Sequence, residues 1–181
     1  MSPILGILAS ANYPRSTNSY ESIATATGSG VSSFTFSSIP STYQHLQIRL
    51  YIPNCSTAPG NVWYYPNGDS TANKTLHELN GTGAAAVSAA VTGLPWNRIC
   101  YQGFANSYPL VSVTDILDYS NANKYKTTRA LWGNDLNSTN SYVALTSGYS
   151  PITAAFTSLT IGRDSGNFPT GTSVALYGIK G

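Results

Sequence analysis

The chain has 181 residues, of which 41% are hydrophobic and only 9% charged; nine Lys and Arg against seven Asp and Glu leave a net charge of +2. Counting gives 24 Ser, 20 Thr and 15 Asn, which take the place that charges fill in most soluble domains. This excludes a nucleic-acid binder, which needs clustered cations, a membrane-spanning helix, which needs about 20 consecutive apolar residues, and, with 13 Tyr, five Phe and three Trp, a disordered chain.

In chain order, the first segment, Pro3-Ile4-Leu5-Gly6-Ile7-Leu8-Ala9-Ser10, is apolar but lacks the cationic start and the length of a secretory signal. We expect an N-terminal arm over residues 1–19 and a single domain over 20–181, made in a cytoplasm and used at full length. Period-two alternation then predicts strands at Tyr20–Thr27, Ser33–Phe36 and His45–Ile52. The last is the cleanest: Leu46, Ile48, Leu50 and Ile52 point one way, and Gln47, Arg49 and Tyr51 the other. Further strands are expected at Asn61–Tyr65, Lys74–Leu79, Leu110–Leu117, Lys124–Trp132, Tyr142–Thr146, Thr157–Gly162 and Ser173–Ile179. Turn clusters such as Pro66-Asn67-Gly68-Asp69 and Asp164-Ser165-Gly166-Asn167 separate them. The Ala-rich stretch Gly83–Val91 reads either as one short helical turn or as a loop between sheets. The expected fold class is therefore all-β: one jelly-roll-like antiparallel β-sandwich of 8–10 strands with at most one short helical turn. Its wet faces would carry Ser, Thr, Asn and Tyr, which leaves strand edges poorly protected against pairing with other subunits.

Catalytic constellations are sparse. His45 and His77 are the two histidines; His77-Glu78 is half of a zincin motif, without the second His or the helix that motif needs. There is no Gly-x-Ser-x-Gly elbow. Asp115 and Asp118 are a close carboxylate pair whose spacing puts them on opposite faces of a strand; the change of phase at Ile116-Leu117 is read as a β-bulge at Asp115. The oxygen-rich loops Asn134–Asn137 and Asp164–Asn167 each hold one carboxylate, which turn chemistry accounts for better than a calcium site. Cys55 and Cys100 leave pairing open, with a buried thiol the plain reading for Cys100. No catalytic residue, metal site or cofactor is expected. The residues placed in contacts are aromatic: Trp63, Tyr64, Tyr65, Trp96, Tyr101 and Tyr108, at least one of the three adjacent rings having to face outward. The apolar Ile4, Leu5, Ile7 and Leu8 are expected to strap onto a neighbouring subunit.

Four stretches carry a resemblance. They are Pro3–Ser10, Ser33–Arg49 (SFTFSSIPSTYQHLQIR), Asp115–Tyr119 with Lys124–Leu131, and the closing Ala175-Leu176-Tyr177-Gly178-Ile179-Lys180-Gly181. Together the chain resembles a family of small β-rich virion structural proteins of tailed bacteriophages, placed on heads or in tail fibres; Cys55–Leu94 matches least. The resemblance implies a non-enzymatic particle subunit and brings no catalytic residues with it. A capsid decoration or cement protein is favoured, because the chain shows neither a shaft nor an attachment segment. The alternative is a tail-fibre or tail-tip protein that binds a host surface glycan or protein. The expected partners are other virion proteins and copies of the chain itself, with a trimer as the closed form.

Overall fold

The computed structural model describes residues 19–54, 59–102, 108–136 and 141–181. Residues 1–18 of the predicted arm, with Ile4, Leu5, Ile7 and Leu8, lie outside the described residues, as does Cys55. The described chain is an antiparallel, jelly-roll-like β-sandwich of twelve strands: β1 (Tyr20–Gly28), β2 (Ser33–Phe36), β3 (His45–Ile52), β4 (Gly60–Pro66), β5 (Lys74–Gly81), β6 (Ala86–Leu94), β7 (Asn97–Gln102), β8 (Leu110–Leu117), β9 (Lys126–Asn134), β10 (Tyr142–Ser150), β11 (Leu159–Arg163) and β12 (Thr172–Ile179). Eight form one sheet in the order β1-β12-β3-β8-β9-β10-β5-β6; the other four form a second sheet, β2-β11-β4-β7.

Alternation builds the core where it was most regular. Leu46, Ile48, Leu50 and Ile52 of β3 and Val174 and Leu176 of β12 are all buried, and they meet Phe34, Phe36, Val62, Tyr64, Leu159 and Ile161 from the smaller sheet. Phe156 and Phe168 close the layer from loops, Phe168 with its ring 4.9 Å from that of Phe34. Full burial of an aliphatic or aromatic side chain contributes about 1.5–3 kcal/mol, so this half of the sandwich supplies most of the fold's driving force. Two lysines are buried beside it. Lys126 Nζ donates to the carbonyls of Lys124 and Thr153 at 2.7 and 3.1 Å, and Lys74 Nζ donates to Asp69 at 2.7 Å. Burial lowers the Lys126 pKa, since the charged form loses water.

Several sequence expectations need correction. Gly83–Val91 is neither helical turn nor loop: most of it belongs to β6, an edge strand paired with β5 from Gly81↔Ala86 to Lys74↔Leu94. Ala helix propensity is overridden by that ladder, since strand preference follows cross-strand neighbours. The segment Asn97–Gln102 is also a strand, broken by an irregular register with β4 between Val62 and Trp63. No bulge occurs at Asp115: the ladders Gln47↔Asp115 and Asp115↔Arg129 run through it unbroken.

Candidate functional site

The apparent phase change in β8 has a different cause. Leu110, Ser112, Thr114 and Ile116 point inward; Val111, Val113, Asp115 and Leu117 point outward. The same inversion holds in the next two strands. Thr128, Ala130 and Trp132 of β9 and Ala144, Thr146 and Ser150 of β10 are buried, while Leu131, Val143 and Leu145 are exposed. The expectation of Ser/Thr wet faces is thus reversed on this part of the sheet. The small polar residues are inside and the branched aliphatics outside.

Register shows that the outward residues adjoin. One row across the strands reads Val113–Leu131–Leu145–Leu79, over β8, β9, β10 and β5. The row beside it reads Tyr51–Val111–Gly133–Val143–Gly81–Ala86. Val111, Val113, Leu131, Val143, Leu145 and Leu79 are each between 42 and 59% exposed. Six such side chains, roughly half open, present on the order of 500 Å² of contiguous apolar surface, toward the upper end of the largest patch that an ordinary monomer leaves in water. The glycines make the surface uneven. Gly133 sits between two valines, where a Cβ would lie 2.6 Å from the Tyr142 carbonyl. A shallow cavity of about 950 Å³ opens there, bounded by Gly81–Ala84, Pro109, Val111, Leu131 and Val143.

Charge stops at the border of this patch. The third row reads Gln47–Asp115–Arg129–Ser147–His77. Asp115 accepts from Gln47 Nε2 at 2.9 Å and lies 3.9 Å from Arg129. Arg49 donates to Gln47 at 2.8 Å and covers the Tyr177 ring at 4.5 Å.

The inner side of the same strands holds a polar chain. The Trp132 indole donates to Thr146 at 3.1 Å, Thr146 donates to Glu78 at 3.3 Å, and Arg98 of β7 donates to Glu78 at 2.8 Å. Tyr64 and Thr128 share a hydroxyl hydrogen bond of 2.6 Å. Burial drives the Tyr64 phenol well above its ordinary pKa, the Thr128 bond offsetting only part.

The aromatic contact residues are dispersed. Tyr64 is fully buried and cannot touch a partner, which corrects its assignment: strand alternation turns it inward while Trp63 and Tyr65 turn outward. Those two half-buried rings sit 4.4 Å apart on the outer face of the small sheet, Trp63 lying over Gly162. Trp96 and Tyr101 flank Arg98 at 5.9 and 5.7 Å. Tyr108 is exposed just before β8. His45 accepts the Asp118 backbone N–H at 2.9 Å, and His77 on β5 is separated from β3 by β8, β9 and β10. Asp164 accepts from the Asn61 backbone at 3.0 Å, so that loop's oxygen is tied into the fold. Among the described residues no three His, Cys, Asp or Glu side chains group to hold a metal ion, and no helix is long and apolar enough to cross a membrane.

The six aliphatic residues of the outer face went unassigned in the sequence reading. Only half of their signal was present: Leu110 and Ile116 share phase with Ser112 and Thr114, which sets Val111 and Val113 on the opposite face without saying which face is buried.

No protein-family model and no curated protein matches the chain. Among solved structures it is similar to an alginate lyase variant in complex with an alginate tetrasaccharide, at 9% sequence identity and a TM-score of 0.28, over 76% of this chain and 70% of that one.

Proposed function

We propose that this chain is a non-enzymatic structural subunit of a tailed-phage virion. It sits on the capsid exterior as a decoration or cement subunit that binds neighbouring capsid proteins and its own copies. The observation that carries the reading is the outward Val/Leu surface of β8, β9, β10 and β5, backed by an inward Ser/Thr surface. A strand with its larger apolar residues in water forgoes about 0.8 kcal/mol for each CH₂ left uncovered. That arrangement is favourable overall when another subunit covers the surface. The resemblance of Pro3–Ser10, Ser33–Arg49, Asp115–Tyr119 with Lys124–Leu131, and Ala175–Gly181 to phage particle proteins supplies the setting.

The test is imaging of purified particles with a labelled antibody to the chain. Label over the head facets supports decoration. Particles without the protein overturn a virion role.

A second reading, a tail-tip protein that binds a host glycan, is favoured by one feature: the paired Trp63 and Tyr65 rings on the small sheet, beside the hydroxyl row of Thr35 and Thr160, which are 3.2 Å apart. Aromatic platforms with neighbouring hydroxyls suit sugar rings. Label confined to the tail tip, with glycan binding lost in Trp63→Ala, would select it.

A further inference from the structure

We propose that the occupant of the outer β8-β9-β10-β5 face is a second copy of this chain, packed sheet against sheet about a two-fold axis. The inference rests on the reading of that face as a docking surface and adds its partner.

Three observations point to a copy over an unlike protein. The first is area. A stable specific interface needs roughly 800 Å² from each side. The six aliphatic side chains give on the order of 500 Å² of that, and the exposed Tyr51 near the end of β3 adjoins Val111 and extends the same surface. The second is charge. Unlike partners are selected through opposed fields, but the two apolar rows contain no charged side chain between β8 and β6. At the border Asp115 and Arg129 are one acid and one base, already 3.9 Å apart, Arg49 stands opposite Val113 on β3 and Asp135 lines the cavity, two acids against two bases. A copy therefore meets no net like charge, and two-fold rotation can bring acid to base at the rim. The third is relief. In the second row valine ridges alternate with glycine notches, Val111–Gly133–Val143–Gly81. Ridges on alternate strands lie about 10 Å apart, twice the strand spacing. An isologous contact brings the same surface to itself, so ridges of one copy can enter the notches of the other. Two sheets stacked in this way sit about 10 Å apart, as in the interior of a sandwich. A stacked pair is then the unit, in place of the trimer expected from the sequence.

The experiment is sedimentation velocity and small-angle scattering on the full chain from about 1 to 100 μM, spanning weak to moderate dimer affinities. Four variants separate the occupants. Leu131→Glu and Leu145→Glu charge the face at positions already half in water, and circular dichroism checks that each folds. Ala89→Lys charges the exposed edge strand β6. Ile4→Ser with Leu8→Ser removes the apolar character of the N-terminal segment. The expected result is a dimer for the parent, for Ala89→Lys and for the N-terminal double variant. Dissociation should be at least tenfold easier in both face variants. As a second readout, the fluorescence of Trp132, just beneath the face and isolated by Trp63→Phe and Trp96→Phe, should shift with dimerisation. A parent that stays monomeric throughout overturns the proposal. So does a dimer broken by Ala89→Lys or by the N-terminal substitutions and untouched by the face variants. A monomeric parent that binds phage heads and loses that binding in Leu131→Glu would overturn the pairing while leaving the docking role standing.

Discussion

Replacing Glu78 by Leu isolates the interaction that ties β5 of the large sheet to β7 of the small one. Glu78 and Arg98 are 9 and 14% exposed, and their atoms approach to 2.8 Å. Arg98 Nη1 makes that bond while Nε is buried without a partner, and Thr146 relies on the same carboxylate. Leucine at 78 would leave a guanidinium nearly out of water with its counter-charge gone. Breaking a buried pair from one side costs about 3–5 kcal/mol. The residual exposure of Arg98 and its place between the Trp96 and Tyr101 rings favour the lower figure, about 3 kcal/mol. That is a large part of the roughly 5–15 kcal/mol that holds a domain folded. Arg98→Met should cost a similar amount, and the double variant much less than the sum, with a coupling of about 2 kcal/mol. Urea unfolding of the four proteins, read as midpoints at constant slope, measures all terms. Single substitutions below about 1 kcal/mol that simply add in the double variant would refute the reasoning, because the sandwich would then be open to water at its β5–β7 end.

Three further outcomes follow from named contacts. Gly178→Ala places a methyl inside the buried Tyr43 ring; overpacking of this kind should destabilise by roughly 1–3 kcal/mol, seen as a lower thermal midpoint, and the same substitution should cost less in a Tyr43→Ala background. Asp69 is pushed up by burial but pulled further down by hydrogen bonds from Lys74 and Thr71, so its folded pKa is depressed. Its contribution is therefore complete above the ordinary carboxylate pKa of about 3.9 and is lost as pH falls through the lower folded value; Asp69→Asn should flatten the acid limb of stability against pH. Tyr64 has the opposite sign: burial raises its pKa, so its contribution holds below the free phenol value of about 10 and declines above it. Tyr64→Phe should lower stability by about 1–2 kcal/mol at neutral pH, stranding Thr128, and should reduce the alkaline slope in a pH series of urea melts.

The strands legible in the sequence are those in which one strong apolar set faces one weak polar set. In β3, Leu46, Ile48, Leu50 and Ile52 leave no choice of face, and the observed strand ends where the alternation ends. β8 was placed at its observed boundaries with its bulge misread, because Val111 and Val113 compete with Leu110 and Ile116 for the core and period two alone does not say which phase wins. The winning phase depends on what lies opposite. Ser112 donates to the Ile99 carbonyl on β7, a partner 13 residues away in sequence that local pattern does not reveal. β6 stayed hidden for a related reason: its residues are exposed on both faces from Ala86 to Gly93, so no burial periodicity is written into it. The contact surface was sought among aromatics because rings are the usual anchors. The buried Tyr64 and the outlying Val/Leu rows show that strand phase, which decides exposure, outranks side-chain type.

The inside-out half of the large sheet also shapes how the molecule responds to temperature. Apolar surface newly wetted on unfolding is the main source of the heat-capacity increment, ordinarily about 12–15 cal/mol/K per residue. Here Val111, Val113, Leu131, Val143, Leu145 and Leu79 are already half hydrated in the native chain, and Ser112, Thr114, Thr128 and Thr146 add polar area that acts in the opposite sense. The isolated subunit should therefore have a shallow stability curve. In the proposed pair the missing increment would reappear as the face is covered, and pairing would carry the stronger thermal dependence and loosen first on cooling.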